Sequence, residues 1–147
     1  MDRMIATAQF GQQDIARRLG INVTDLTCIG FLIEAQAAGE ALGAGDLAGR
    51  ARLTTGAVTG VLNRLEKAGY VRRVPDPADR RRVTVVMEES AQQRILTVYG
   101  PFYERLGALF ATYGPDEVAV LADWFRQATE LFRESLDEIR DGEPPSP

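Results

Sequence analysis

Between residues 54 and 87 an amphipathic helical pattern stops at a single glycine and gives way to two short β-rich runs. Val58, Val61, Leu62 and Leu65 follow the spacing i, i+3, i+4, i+7, which gathers apolar side chains on one face of a helix. Thr54 can open that helix, because its hydroxyl accepts an otherwise unpaired first-turn N–H. Gly69 fits the left-handed position just past its end, so the spacing predicts a helix over 55–68. Its other face carries Thr55, Gly56, Thr59, Gly60, Asn63, Arg64 and Lys67. That face is small, polar and basic, with nothing bulky to bury. Residues 70–74 and 83–87 are rich in β-branched and aromatic side chains and predict a hairpin. The segment joining them, Pro75 to Arg82, begins with turn chemistry and ends in three arginines.

The flanks read as helices. Residues 2–19 place Met4, Ile5, Ala8, Ile15 and Leu19 at mostly helical spacing. A second helix begins at Asn22 or Thr24 as N-cap and is expected to bury Leu26, Ile29, Leu32 and Ile33. Ala41-Leu42 suggests a short strand, and 44–51 a short helix burying Leu47, Ala48 and Ala51. After the hairpin come helices over 90–113, which Pro101 should kink, and 116–140, separated by Gly114-Pro115. Ile95, Val98, Phe102, Leu106, Leu109 and Tyr113 form the stripe of the first, and Val118, Leu121, Phe125, Phe132 and Leu136 that of the second. The expected fold is mainly α with a small β hairpin (α+β), a winged helix-turn-helix flanked by helices at both ends. Its expected divisions are 1–40 (N-terminal helices), 41–88 (winged helix-turn-helix), 89–140 (C-terminal helices) and 141–147 (a disordered, proline-rich tail).

The net charge of −4 on its face opposes binding to a polyanion. Its distribution reverses that. Residues 50–82 carry 9 basic and 3 acidic side chains, whereas 1–49 carry 3 basic and 6 acidic, and 83–147 carry 5 and 12. Screening confines attraction to about 10 Å at 0.1 M salt, so a local cluster outweighs distant acids. There are no histidines and a single cysteine, which excludes imidazole catalysis, histidine-ligated metals and an internal disulfide. No phosphate-binding glycine loop, metal-ligand cluster or acid–base dyad stands out, so neither an enzyme nor a cofactor is expected. No apolar run is long enough to span a membrane, and a cytoplasmic location is expected.

A helix with a small polar face can enter the major groove, about 12 Å wide, and bring Thr55, Gly56, Thr59 and Asn63 to base edges. Arg64 and Lys67, a turn further on, suit phosphates. An arginine of the hairpin can enter the minor groove. At this point Asp46-Leu47-Ala48, Leu53-Thr54-Thr55-Gly56-Ala57-Val58-Thr59 and Leu62-Asn63-Arg64-Leu65-Glu66-Lys67-Ala68-Gly69-Tyr70-Val71-Arg72-Arg73 resemble the MarR family of bacterial transcription regulators. The run Asp76-Pro77-Ala78-Asp79-Arg80-Arg81 is similar to that family's wing signature. Where the family often has a capping Ser or Thr the chain has Gly43, and where it often has a basic or polar contact the chain has Gly60.

The resemblance implies a homodimer, interleaved through the first and last two helices, on successive half-sites of palindromic double-stranded DNA. It implies a ligand-responsive repressor, with Arg81 in the minor groove oriented by Asp79. The candidate DNA-facing set is Thr54, Thr55, Gly56, Thr59, Asn63, Arg64, Lys67, Arg73, Asp79, Arg80, Arg81 and Arg82. Many relatives bind a small anionic or aromatic effector, for which Phe31, Tyr99, Phe102 and Tyr103 are candidates. Core packing is the competing role for those four. Cys28 reads as a small core residue. A second class stays open: a winged-helix module whose basic patch docks an acidic protein and reads no DNA sequence.

Overall fold

The computed structural model describes residues 2–76, 79 and 82–142, with only the backbone described at 2 and 141. Element order is α1 (Asp2–Leu19), α2 (Val23–Ala37), β1 (Leu42–Gly43), α3 (Ala44–Ala51), α4 (Thr55–Lys67), β2 (Val71–Pro75), β3 (Val83–Met87), α5 (Glu89–Phe110) and α6 (Pro115–Asp141). The chain divides into two compact units, Met1–Pro101 and Phe102–Pro147.

In the first unit, α2, α3 and α4 enclose a core with Leu47, Leu62, Leu65, Val58, Ile29 and Tyr70 at its centre. Asn22 opens α2, its side chain accepting the Asp25 N–H at 2.8 Å. The buried face of α2 is Asp25, Leu26, Cys28, Ile29, Leu32 and Ala35. Ile33, expected inside, is 40% exposed. It lies about 100° around the helix from Leu32, and Ala35 closes the core instead. Ala48 and Ala51 pack against the core but are only partly buried. At the start of α3, Gly43 has no side chain to cap with, and Asp46 supplies half of a capping box by accepting the Gly43 N–H at 2.8 Å.

Three strands form an antiparallel sheet in the order β1-β3-β2. Leu42 faces Val85 and Gly43 faces Thr84, while β2 pairs with β3 from Val71↔Met87 to Pro75↔Val83. β1 therefore lies one residue later than expected, because pairing to β3 defines it more than local propensity does. The hairpin base is held by turn bonds. The Asp76 N–H donates to the Arg82 carbonyl and the Arg82 N–H to the Asp79 carbonyl, both at 2.9 Å. The Asp79 N–H donates to the Asp76 carboxylate at 3.3 Å. Pro77, Ala78, Arg80 and Arg81, which carry most of the expected wing tip, lie outside the described residues, as do residues 143–147 of the expected tail.

α4 stops at Lys67 with Ala68 as its cap, and Gly69 follows at φ +70°. A Cβ there would meet the Arg94 guanidinium at 3.7 Å, an ordinary contact. The cost of Gly69→Ala is therefore conformational, about 1–2 kcal/mol. A denaturant titration that left the variant as stable as the parent would contradict the left-handed cap.

In the second unit, Gly114 precedes Pro115 at the start of α6, and Glu117 accepts the Gly114 N–H at 2.8 Å. α5 ends at Phe110, three residues earlier than expected, in turn bonds such as Tyr113 N–H to the Phe110 carbonyl at 3.1 Å. The apolar stripe of α6 is in place, with Phe125, Phe132 and Leu136 exposed. No helix among the described residues is long and apolar enough to cross a membrane.

Candidate nucleic-acid interface

α4 presents the expected face. Val58, Val61, Leu62 and Leu65 are buried, and Thr55, Gly56, Thr59, Asn63, Arg64 and Lys67 are exposed. Thr54 caps the helix, accepting the Ala57 N–H at 3.2 Å. The Thr59 hydroxyl donates to the Thr55 carbonyl at 2.9 Å, which fixes its rotamer along the helix. The first two turns of α4 thus offer a rigid, low-relief edge.

The cations are more constrained than their sequence suggests. Arg64 grips Asp25 of α2 with two bonds, Nη2 to Oδ1 at 2.6 Å and Nε to Oδ2 at 3.2 Å. The Asp25 side chain is only 3% exposed, that of Arg64 53%. Asp25 holds the Arg64 pKa above its ordinary value, chiefly through this hydrogen bond. Arg64, expected to suit phosphates, also ties α2 to α4. Arg73 is likewise engaged. It pairs with Glu66, donates its backbone N–H to Glu66 at 3.1 Å, and donates Nη2 to the Asn63 amide oxygen at 3.0 Å. This ties β2 to the last turn of α4 and orients Asn63.

Arg72 faces Glu88 at 3.5 Å, Arg82 faces Asp46 at 3.4 Å, and Arg50 pairs with Glu40. Four of the carboxylates that meet these arginines, at 25, 40, 46 and 88, lie outside the 50–82 stretch, so the fold moderates its positive charge. Exposed pairs are weak, at most about 1 kcal/mol, so Arg72 and Arg82 can exchange a carboxylate for a phosphate at little cost. The buried Asp25 makes that exchange expensive for Arg64.

Two residues that the sequence does not single out for the purpose hold the end of α4. The Tyr70 hydroxyl donates to the Leu19 carbonyl at 2.6 Å, tying the end of α4 to α1. Arg94 of α5 lies 4.0 Å above the Tyr70 ring and donates to the carbonyls of Ala68 and Gly69 at 3.1 and 2.7 Å. A cation at a helix C-terminus is favoured by the dipole. Arg94 belongs to no local pattern on α5, and only the three-dimensional path of the chain after α4 brings it to its partners.

The chain is 34% identical over 128 residues to YcgE of Bacillus subtilis (strain 168), an HTH-type transcriptional regulator, spanning 87% of this chain and 80% of YcgE. The MarR family model matches residues 37–83, the stretch that holds β1, α3, α4 and β2 and ends at the first residue of β3. The chain belongs to the MarR family. Among solved structures, a mutant of MepR from multidrug-resistant S. aureus superposes with a TM-score of 0.71 at 21% identity, covering 88% of this chain and 93% of that one. The S. aureus MepR–DNA complex gives 0.60 at 21% identity, covering 89% and 97%. These likenesses establish that the MarR winged helix-turn-helix fold extends through most of the chain.

The candidate effector residues fall in both units. Phe31 and Tyr99 pack against the core of the first unit. Phe102 and Tyr103 lie in the second unit as an edge-on pair with centroids 5.5 Å apart, each 58% exposed. Cys28 is fully buried. Its thiol pKa is raised by burial first and by the Asp25 carboxylate second, with Arg64 offsetting part of that. Thiolate is therefore scarce near neutral pH. Native Cys28 should react with iodoacetamide on the order of a hundredfold more slowly than in the unfolded chain; comparable rates would show an activated, accessible thiol.

Proposed function

We propose that this protein is a homodimeric, sequence-specific DNA-binding transcriptional regulator that acts as a ligand-responsive repressor on a palindromic operator. The observation that carries this reading is the face of α4. Thr55, Gly56 and Thr59 are exposed at its N-terminal end with no bulky side chain among them, directly ahead of the hairpin, within the MarR-matching residues. Such a face allows close approach to base edges, and the exposed Thr54, Lys67, Arg72 and Arg82 suit contacts with the phosphate backbone. By resemblance, Arg81 enters the minor groove, with Asp79 orienting it. The apolar side chains exposed on α6 support the dimer, since Phe125, Phe132 and Leu136 would otherwise face water.

Fluorescence anisotropy on DNA from upstream of the protein's own gene tests the reading. Binding should weaken steeply with salt, with a log–log slope on the order of −4 to −7 for a dimer neutralising about five to eight phosphates. Absence of salt-dependent binding would refute it.

A further inference from the structure

One guanidinium joins the hairpin to α4. Arg73 leaves β2 two residues after the buried Val71, on the same face of the strand. There it meets two side chains of α4, Asn63 and Glu66. The Glu66 carboxylate accepts the Arg73 backbone N–H at 3.1 Å and also pairs with the guanidinium. The Arg73 Nη2 then donates to the Asn63 Oδ1 at 3.0 Å. A carboxylate thus fixes the guanidinium, and the guanidinium fixes the amide.

The direction of that last bond decides what Asn63 can offer. A guanidinium carries five donors and no acceptor, so only the amide oxygen can face it. The amide nitrogen is left on the other branch, and among the described residues no acceptor meets it. Asn63 is exposed and follows Thr55 and Thr59 at successive i+4 steps, on one row of the helix surface. An unrestrained asparagine reads adenine with both ends of its amide, accepting from N6 and donating to N7. With its oxygen occupied, Asn63 can only donate. Guanine presents two neighbouring acceptors in the major groove, O6 and N7, whereas adenine sets a donor beside its one acceptor.

We infer that Asn63 selects guanine over adenine at one position of each half-site, and that Arg73 is the positioning residue that sets this preference by holding the amide oxygen. The inference rests on the proposed DNA-binding function and adds to it the base that this position of α4 reads. Arg73 acts through Asn63, so its signature is a change of base preference and not a loss of phosphate attraction.

The probes are duplexes of the DNA upstream of the protein's own gene, with each base pair replaced in turn, titrated by fluorescence anisotropy. At one position per half-site the parent should prefer guanine to adenine by at least about fivefold, the low end for a base contact. Asn63→Ala should lose that preference. At that guanine, 7-deazaguanine, which lacks the N7 acceptor, should weaken binding by about two- to tenfold, the loss of one hydrogen bond. Hypoxanthine, which keeps O6 and N7, should leave it unchanged. Arg73→Met frees the amide oxygen and should bring adenine within about twofold of guanine. Arg73→Lys, which also only donates, should keep the preference. If Arg73→Met is not folded by circular dichroism, Arg73→Thr, suited to a strand and too short to reach Asn63, takes its place. Preference for another base at the Asn63-dependent position, no such position, or an unchanged preference in the folded Arg73 variant would each overturn the inference while leaving DNA binding intact. Absence of binding to every duplex would overturn it together with the proposed function.

Discussion

Arg64→Ala is expected to lower folding stability by about 3 kcal/mol, a large effect for a substitution at a half-exposed arginine. The cause lies in its partner. Asp25 is almost wholly buried on α2, and Arg64 supplies both hydrogen bonds recorded for its carboxylate oxygens. Breaking a fully buried pair costs about 3–5 kcal/mol, because a charge is left without compensation. Solvent around the guanidinium places this case at the lower end. A double replacement separates that cause from lost packing. Asp25→Leu with Arg64→Met removes both charges at similar volume and should recover most of the loss. Chemical denaturation of the parent, the single variant and the double variant measures the effect. A single variant within 0.5 kcal/mol of the parent, roughly the range of ordinary surface substitutions, would show that water already satisfies Asp25.

The second large effect is expected on DNA binding with folding unchanged. Thr59 is exposed in the middle of the small face of α4. Thr59→Glu sets a carboxylate where base edges and phosphates would lie, removing a contact of about 1–3 kcal/mol and adding repulsion. Affinity for upstream DNA should fall by about a hundredfold, while stability stays within about 0.5 kcal/mol. Thr59→Ser should retain most of the affinity. If Thr59→Glu bound as tightly as the parent, this face of α4 would not be the one that meets DNA.

These two positions show what the sequence made legible. The buried face of α4 could be read because four apolar residues within eight positions determine it, and the cap at Thr54 because it acts within one turn. Arg64 stands on the same helix, yet its partner lies 39 residues away on α2, and no local pattern links them. Arg94 and Tyr70 are hidden for the same reason, since their contact depends on the path of the chain after α4. The charge pattern marked the arginine-rich stretch but overstated its net positive charge. Acids at 25, 40, 46 and 88 fold back against the arginines of 50–82. Ile33 and Ala35 exchanged places because apolar spacing on α2 admits either side of the stripe, and only packing selects one.

On the proposed reading, the α4 helices of a dimer read DNA about a two-fold axis. Hydroxyl-radical footprinting of the native protein on its own upstream DNA tests it most directly. Two symmetric protected half-sites are expected about one helical turn apart, 10–10.5 base pairs centre to centre, lost together in Thr59→Glu. A uniform or absent footprint from folded protein would contradict it and favour a basic surface that docks an acidic protein.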